Sequence, residues 1–277
     1  MMTDGNFILV NGSFISSADY RISIQESEAL LFAEKIRSVR TTFPFFTPTL
    51  EMIRLKLNIF QQSFPDIMEN DGAELKRQME RTLTKNKHFL GSVLSVRFWF
   101  FEQKLQYSIQ SAKTDFTGYE LNNKGMYISI SREVWKSASS LSNCSLGSDI
   151  YWNIAGIAKE SVNDELVLLN DEDQIIEAPW SNIYLIKNGT IKGASIHHGA
   201  YADITKSLLM NIFQSLKLGY DESDALTEQD LKQADEIFLV NSLVGVRWVI
   251  GFEGKRYFNQ TIKRINTQFV KRLTIND

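Results

Sequence analysis

Residues 174–192 read Gln-Ile-Ile-Glu-Ala-Pro-Trp-Ser-Asn-Ile-Tyr-Leu-Ile-Lys-Asn-Gly-Thr-Ile-Lys. The β-prone runs at 174–177, 182–187 and 190–192 are broken by Pro179 and by Asn188-Gly189, and this punctuation predicts three short strands. Glu177 stands where the first strand ends, and Ser181-Asn182 where the second begins. Upstream, 165–169 predicts another strand, 150–161 a helix, and 127–131 an alternating strand. Downstream, 203–216 predicts a helix with Asp203 as an acidic N-cap. A second helix over 227–233 opens on the Thr227/Asp230 capping box, and 236–240 reads as a buried strand.

The amino-terminal half follows a different plan. Asn11-Gly12 between 7–10 and 13–15 is a type I′ hairpin signal. Behind Pro48, Leu50, Ile53, Leu57 and Phe60 recur at helical spacing over 49–64, and Leu75, Met79 and Leu83 repeat the pattern over 73–86. The stretches 93–101 and 105–111 are apolar and β-prone, whereas 111–125 is polar. The expected organisation is α+β: a small domain over 1–115, a linker over 116–125, and a larger mixed domain over 126–277.

Composition narrows the chemistry. The chain has 277 residues, 43% hydrophobic and 23% charged, within the globular range. Thirty basic and 33 acidic residues leave a net charge of -3, too little positive field to hold a nucleic acid. One cysteine, Cys144, gives no internal disulfide framework, and with three histidines no metal site is expected. His197-His198 would point opposite ways on an extended strand, and Cys144 reads as a buried thiol. No apolar run approaches 18 residues and no leader-like segment opens the chain, so a soluble, cytoplasmic protein without membrane contact is expected.

Several blocks, taken in order, resemble the class IV aminotransferases, the pyridoxal-phosphate fold of branched-chain and D-amino-acid aminotransferases and 4-amino-4-deoxychorismate lyase. They are the hairpin at Asn11-Gly12, Glu34 and Arg37 in a Phe-Glu-x-x-Arg-like segment, and Arg54-Leu55. They continue with Glu177-x-x-x-Ser181-Asn182-Ile183-Tyr184-Leu185, Ala234-Asp235-Glu236-Ile237-Phe238-Leu239, and Asn241-Ser242 followed by Gly245-x-x-Trp248-Val249. The resemblance implies a two-domain fold with the site at the domain interface, a homodimer, a small-molecule substrate or ligand, and pyridoxal phosphate as cofactor. Within it, Glu177 would face the ring nitrogen and keep it protonated. Arg54, the amides of Ile204 and Thr205, and the Ser242 hydroxyl would hold the phosphate.

One position breaks the pattern. Active members carry the cofactor-binding lysine after a Leu-Ser-Asn-x segment, ten residues before a helix alanine. Here Leu141-Ser142-Asn143-Cys144 is followed by Ser145, and Ala155 lies ten residues on. An alcohol forms no imine and is a poor proton shuttle, so the resemblance implies a site with its central chemistry lost. Other departures cluster there: Asp203 for a glycine, Lys206 for an arginine, Glu51 for a histidine, and Leu30-Leu31-Phe32 for a Gly-Asp-Gly turn. A carboxylate about 5 Å from a phosphate opposes it by roughly 3 kcal/mol at an effective dielectric near 20. The expected function is therefore a catalytically degenerate binding or structural protein on this fold. The alternative is an active aminotransferase or lyase that uses the cofactor noncovalently or relies on a relocated lysine, Lys136 or Lys159.

Overall fold

The computed structural model describes residues 3–146, 149–158 and 164–275. These divide into two compact units, one ending at Gly118 and one running from Tyr119 to Ile275.

The first unit is an antiparallel sheet backed by helices. Its elements are β1 (Thr3–Asp4), β2 (Phe7–Val10), β3 (Ser13–Ser16), α1 (Ile24–Glu28), β4 (Leu30–Val39), α2 (Phe46–Ile59), α3 (Glu69–Asn86), β5 (Gly91–Phe101) and β6 (Lys104–Lys113). The strand order is β3-β2-β6-β5-β4, with β1 on β6. Asn11 and Gly12 both take positive φ (47° and 85°), the backbone that a type I′ turn requires, so the hairpin forms as its sequence predicts. Asn70, Asp71 and Gly72 are left-handed, so the regular turns of α3 start at Ala73. Leu75, Met79 and Leu83 are fully buried along one face, each contributing roughly 1.5–3 kcal/mol of apolar burial. The helix predicted over 49–64 instead spans 46–59, with Pro48 inside its first turn. Leu30-Leu31-Phe32, matched to a family turn, opens the ten-residue strand β4.

Among the described residues the second unit is built on nine strands. They are β7 (Met126–Trp135), β8 (Asp164–Leu169), β9 (Ile175–Ala178), β10 (Ser181–Lys187), β11 (Thr190–Gly193), β12 (Gly219–Asp221), β13 (Glu236–Asn241), β14 (Gly245–Phe252) and β15 (Lys255–Arg256). The order is β12-β11-β10-β13-β14-β7-β8-β9, and β9 pairs back onto β10, closing six strands into a ring. The β7–β8 and β7–β14 pairs are parallel and the ring's other pairs antiparallel. Ile128, Val167, Ile175, Ile183, Leu185, Ile237, Leu239 and Val249 form one buried cluster contributed by all six of those strands. Gly245-x-x-Trp248-Val249 belongs to β14, and the turn from β13 is confined to 242–244.

Among the described residues five α-helices complete the unit: α4 (Ser140–Asn143), α5 (Asp149–Ala158), α6 (Lys206–Ser215), α7 (Glu228–Gln233) and α8 (Gln260–Ile275). Helix α5 packs on β7 and β8 through Trp152 and Ala155, while the predicted helix residues 159–161, Lys159 among them, lie outside the described residues. Thr227 and Asp230 form the capping box of α7. Among the described residues no helix is long and apolar enough to cross a membrane.

Candidate functional site

Glu177 sits on β9, opposite Leu168 of β8 and Asn182 of β10, and is fully buried. Its carboxylate receives four short contacts. Lys136 Nζ lies 2.8 Å from each oxygen, the Trp152 indole N–H donates to Oε1 at 2.6 Å, and the Tyr201 amide donates to Oε2 at 2.7 Å. Lys136 is also fully buried; it follows the last residue of β7, and its amide donates to the Leu169 carbonyl of β8. Burial pushes the Lys136 ammonium below its ordinary range and the Glu177 carboxyl above its own, while their mutual contact opposes both shifts. An aromatic wall closes the cluster, with Trp152 5.4 Å from Trp180 and 5.3 Å edge-on from Tyr201.

The Ser181-Asn182 pair has a structural task. Asn182 Nδ2 donates to the Tyr201 carbonyl at 2.7 Å while Glu177 takes the amide of that same residue, so β9 and β10 together clamp the 199–203 loop. Ser181 accepts from Asn241, whose side-chain oxygen receives the Leu243 and Val244 amides and shapes the β13–β14 turn. Ser242 lies in that turn half-buried, its carbonyl bonded to the Tyr119 hydroxyl.

Asp203 and Thr205 are buried just before α6. Asp203 Oδ1 accepts the Thr205 amide at 2.8 Å and also the Thr205 hydroxyl. Ile204 lies half-buried between them. Asp203 thus closes the turn before the helix and is not its N-cap as read from the sequence: that position falls at Thr205, which makes no side-chain cap bond, and regular α6 starts at Lys206. Lys206 pairs with Glu222 at 2.5 Å.

Ser145 follows α4 in a left-handed conformation (φ 66°), half-buried, its amide 3.3 Å from the Ser142 carbonyl. The preceding residues tie this segment to the same loop: the Asn143 carbonyl accepts the Ala202 amide, and Asn143 Nδ2 donates to Ile196. Cys144 is buried, its sulfur 3.1 Å from the Ser140 carbonyl. His197-His198 lies in a 3-10 turn (Ile196–His198) that ends on Gly199. Among the described residues no group of three or more His, Cys, Asp or Glu is placed to hold a metal.

In the first unit, Arg54 projects from α2, its Nη2 3.4 Å from the Met68 carbonyl and its guanidinium 6.0 Å from the Phe64 ring. Glu34 on β4 pairs with Lys56 of α2 at 2.7 Å, and Arg37 donates to Thr114 and Phe116. Sequence inspection picked out Glu177 but missed Trp152 and Tyr201 as its partners, and weighed Lys136 only as a substitute amine. An unpaired glutamate in an apolar run was the available signal, since burying it requires a cation somewhere in the chain.

The fold is shared with branched-chain aminotransferases of known structure. A branched-chain aminotransferase from the archaeon Thermoproteus uzoniensis, solved with norvaline, superposes with a TM-score of 0.79 at 17% identity, covering 99% of this chain and 96% of that one. The branched-chain amino acid aminotransferase from Escherichia coli also gives 0.79, at 15% identity, covering 96% and 93%. A Legionella pneumophila chain provisionally assigned as a 4-amino-4-deoxychorismate lyase gives 0.74 at 18%, covering 93% and 97%. In sequence, a protein assigned as a branched-chain-amino-acid aminotransferase in Aquifex aeolicus is 27% identical over 127 residues, 42% of this chain and 41% of that protein. A Methanocaldococcus jannaschii protein assigned likewise is 26% identical over 113 residues, 41% of this chain and 37% of that one. The match thus spans about two fifths of these curated relatives. The amino-transferase class IV family model matches residues 64–250, more than half of the chain. The chain belongs to the class IV aminotransferase family.

Proposed function

We propose that this chain is a class IV aminotransferase relative that no longer transaminates and serves as a ligand-binding or structural protein in the cytoplasm, assembled as a homodimer. The observation that carries the proposal is the pairing of Glu177 with Lys136. A carboxylate offers about four lone-pair sites, and all of Glu177's are engaged by Lys136, Trp152 and Tyr201. The residues present therefore do not fit a pyridine ring nitrogen at this carboxylate. Ser145 adds the second argument, because its hydroxyl cannot replace an amine as covalent anchor or as proton carrier.

One observation favours the alternative of a working enzyme built around Lys136, since burial lowers its pKa as a nucleophilic lysine requires. Its position argues against this. In a pyridine ring the nitrogen and the aldehyde-bearing carbon stand at opposite corners. An amine holding the nitrogen's carboxylate partner with both contacts is thus at the wrong end of the ring.

The test is the visible spectrum of purified protein soaked with pyridoxal phosphate, followed by borohydride reduction and intact mass. Neither colour nor adduct is expected. An adduct mapped to a lysine, with a spectrum that changes on adding an amino acid, would overturn the proposal.

A further inference from the structure

We infer that the chain occupies its ancestral cofactor site with its own side chains: the Lys136 ammonium stands in for the protonated ring nitrogen, and the Asp203 carboxylate for the phosphate. The inference rests on the reading above and extends it, from a site that has lost one residue to a site that is filled.

The match is of charge and of partner at both ends. At Glu177 a buried cation takes both carboxylate oxygens at 2.8 Å, and neither side chain is exposed. At the opening of α6 a buried anion takes the Thr205 amide and hydroxyl, donors of the kind that hold a phosphate at a helix start. Asp203 stands where the family has glycine, whose missing side chain leaves room for an external anion. A carboxylate supplied from within the chain satisfies the same donors and repels a phosphate. Lys136 likewise supplies the positive charge that a bound pyridinium would bring.

Both replacements close the same short loop. Tyr201 is bound to Glu177 through its amide, and Asp203 is bound to Thr205, two residues further on. Asn182 and Asn143 fasten the same stretch through the Tyr201 carbonyl and the Ala202 amide. The loop is thus fastened at several points by the chain's own side chains and backbone.

The experiment titrates pyridoxamine phosphate, inorganic phosphate and methylammonium into the full-length wild type, Lys136→Ala, Asp203→Gly and the double variant. Thermal midpoint and tryptophan fluorescence are the readouts. The wild type should show no shift with any of the three. Methylammonium should raise the midpoint of Lys136→Ala, phosphate that of Asp203→Gly, and pyridoxamine phosphate should bind the double variant at least roughly tenfold more tightly than the wild type. Should Lys136→Ala not fold, Asp203→Gly with phosphate carries the test alone. Stoichiometric binding of pyridoxamine phosphate to the wild type, without colour change on adding amino acid, overturns self-occupation and leaves the loss of transamination standing. Amino-acid-dependent interconversion in the wild type overturns the loss of transamination itself. Failure of every variant to respond to any probe also overturns self-occupation.

Discussion

Lys136 reaches Glu177 across an intervening strand: the lysine leaves the end of β7, its amide is fixed to Leu169 of β8, and its ammonium grips a carboxylate on β9. One residue thereby ties three neighbouring strands at the edge of the ring. Taking two charges out of water costs several kcal/mol per ion, and only close geometry with further hydrogen bonds offsets it. Trp152 and Tyr201 supply those bonds, so the pair is completed by parts of the chain drawn from between residues 136 and 201.

Removing one partner should therefore cost more than removing both. Lys136→Met leaves a buried carboxylate without its cation and is expected to lose about 3–5 kcal/mol of stability. Lys136→Met combined with Glu177→Gln should recover part of this. The stranded charge is gone, although the glutamine amide presents its NH2 to one of the remaining donors. Urea unfolding midpoints at neutral pH measure both, and a double variant less stable than Lys136→Met contradicts the argument.

What the sequence made legible follows the range of the forces involved. The Asn11-Gly12 hairpin, the Thr227/Asp230 capping box and the Leu75/Met79/Leu83 face are set by residues within a few positions of one another, and each forms as read. Strand β4 escaped notice because Glu34, Lys35 and Arg37 interrupt its pattern, and Glu34 is acceptable there only through Lys56, 22 residues away on α2. The candidate site divides in the same way. Glu177 stood out by motif, whereas its pairing with Lys136 depends on strand order, which local pattern does not encode. Helix α8 is a different case: Ile262, Ile265, Phe269 and Leu273 are buried at helical spacing, a periodicity present in the sequence that went unread.

Asp203 should behave as a local hydrogen-bond acceptor as well as a charge. Asp203→Ala removes the acceptor for the Thr205 amide and hydroxyl and is expected to cost about 0.5–2 kcal/mol, while Asp203→Asn, which keeps an acceptor oxygen, should cost less. Thermal unfolding of the two variants beside the wild type separates the acceptor from the charge. Equal losses would show that the charge alone matters.

His88 predicts an acid-side weakness in the first unit. It is buried at 7% exposure with Nδ1 unpartnered, and burial, helped by the nearby Lys113, holds its pKa below the ordinary 6.5. The unfolded chain takes up a proton near pH 6.5 that the folded chain refuses. Stability is therefore fully present above that pH and falls as pH drops, until the folded-state pKa is passed. The slope is at most about 1.4 kcal/mol per pH unit from this one group. His88→Gln should flatten the pH dependence of the unfolding free energy on the acid side of neutrality and leave its alkaline side unchanged; an unaltered profile would show that His88 titrates normally.

Two glycines should respond to alanine with opposite signs. A Cβ on Gly91, at the start of β5, would run into the Phe116 carbonyl and lie 3.2 Å from Thr114 Oγ1. Neither neighbour can move freely, because Arg37 donates to both the Phe116 carbonyl and the Thr114 hydroxyl, and the Thr114 amide is bonded to the Gly91 carbonyl. Gly91→Ala is expected to destabilise by about 3 kcal/mol, the upper end for an overpacked site. Gly156, inside α5, has nothing within 4 Å of its added Cβ, so there only the backbone entropy of glycine changes. Gly156→Ala should stabilise by about 0.5–1 kcal/mol. Denaturant midpoints of the two variants give the comparison, and a destabilised Gly156→Ala would mean that this face of α5 is covered in solution.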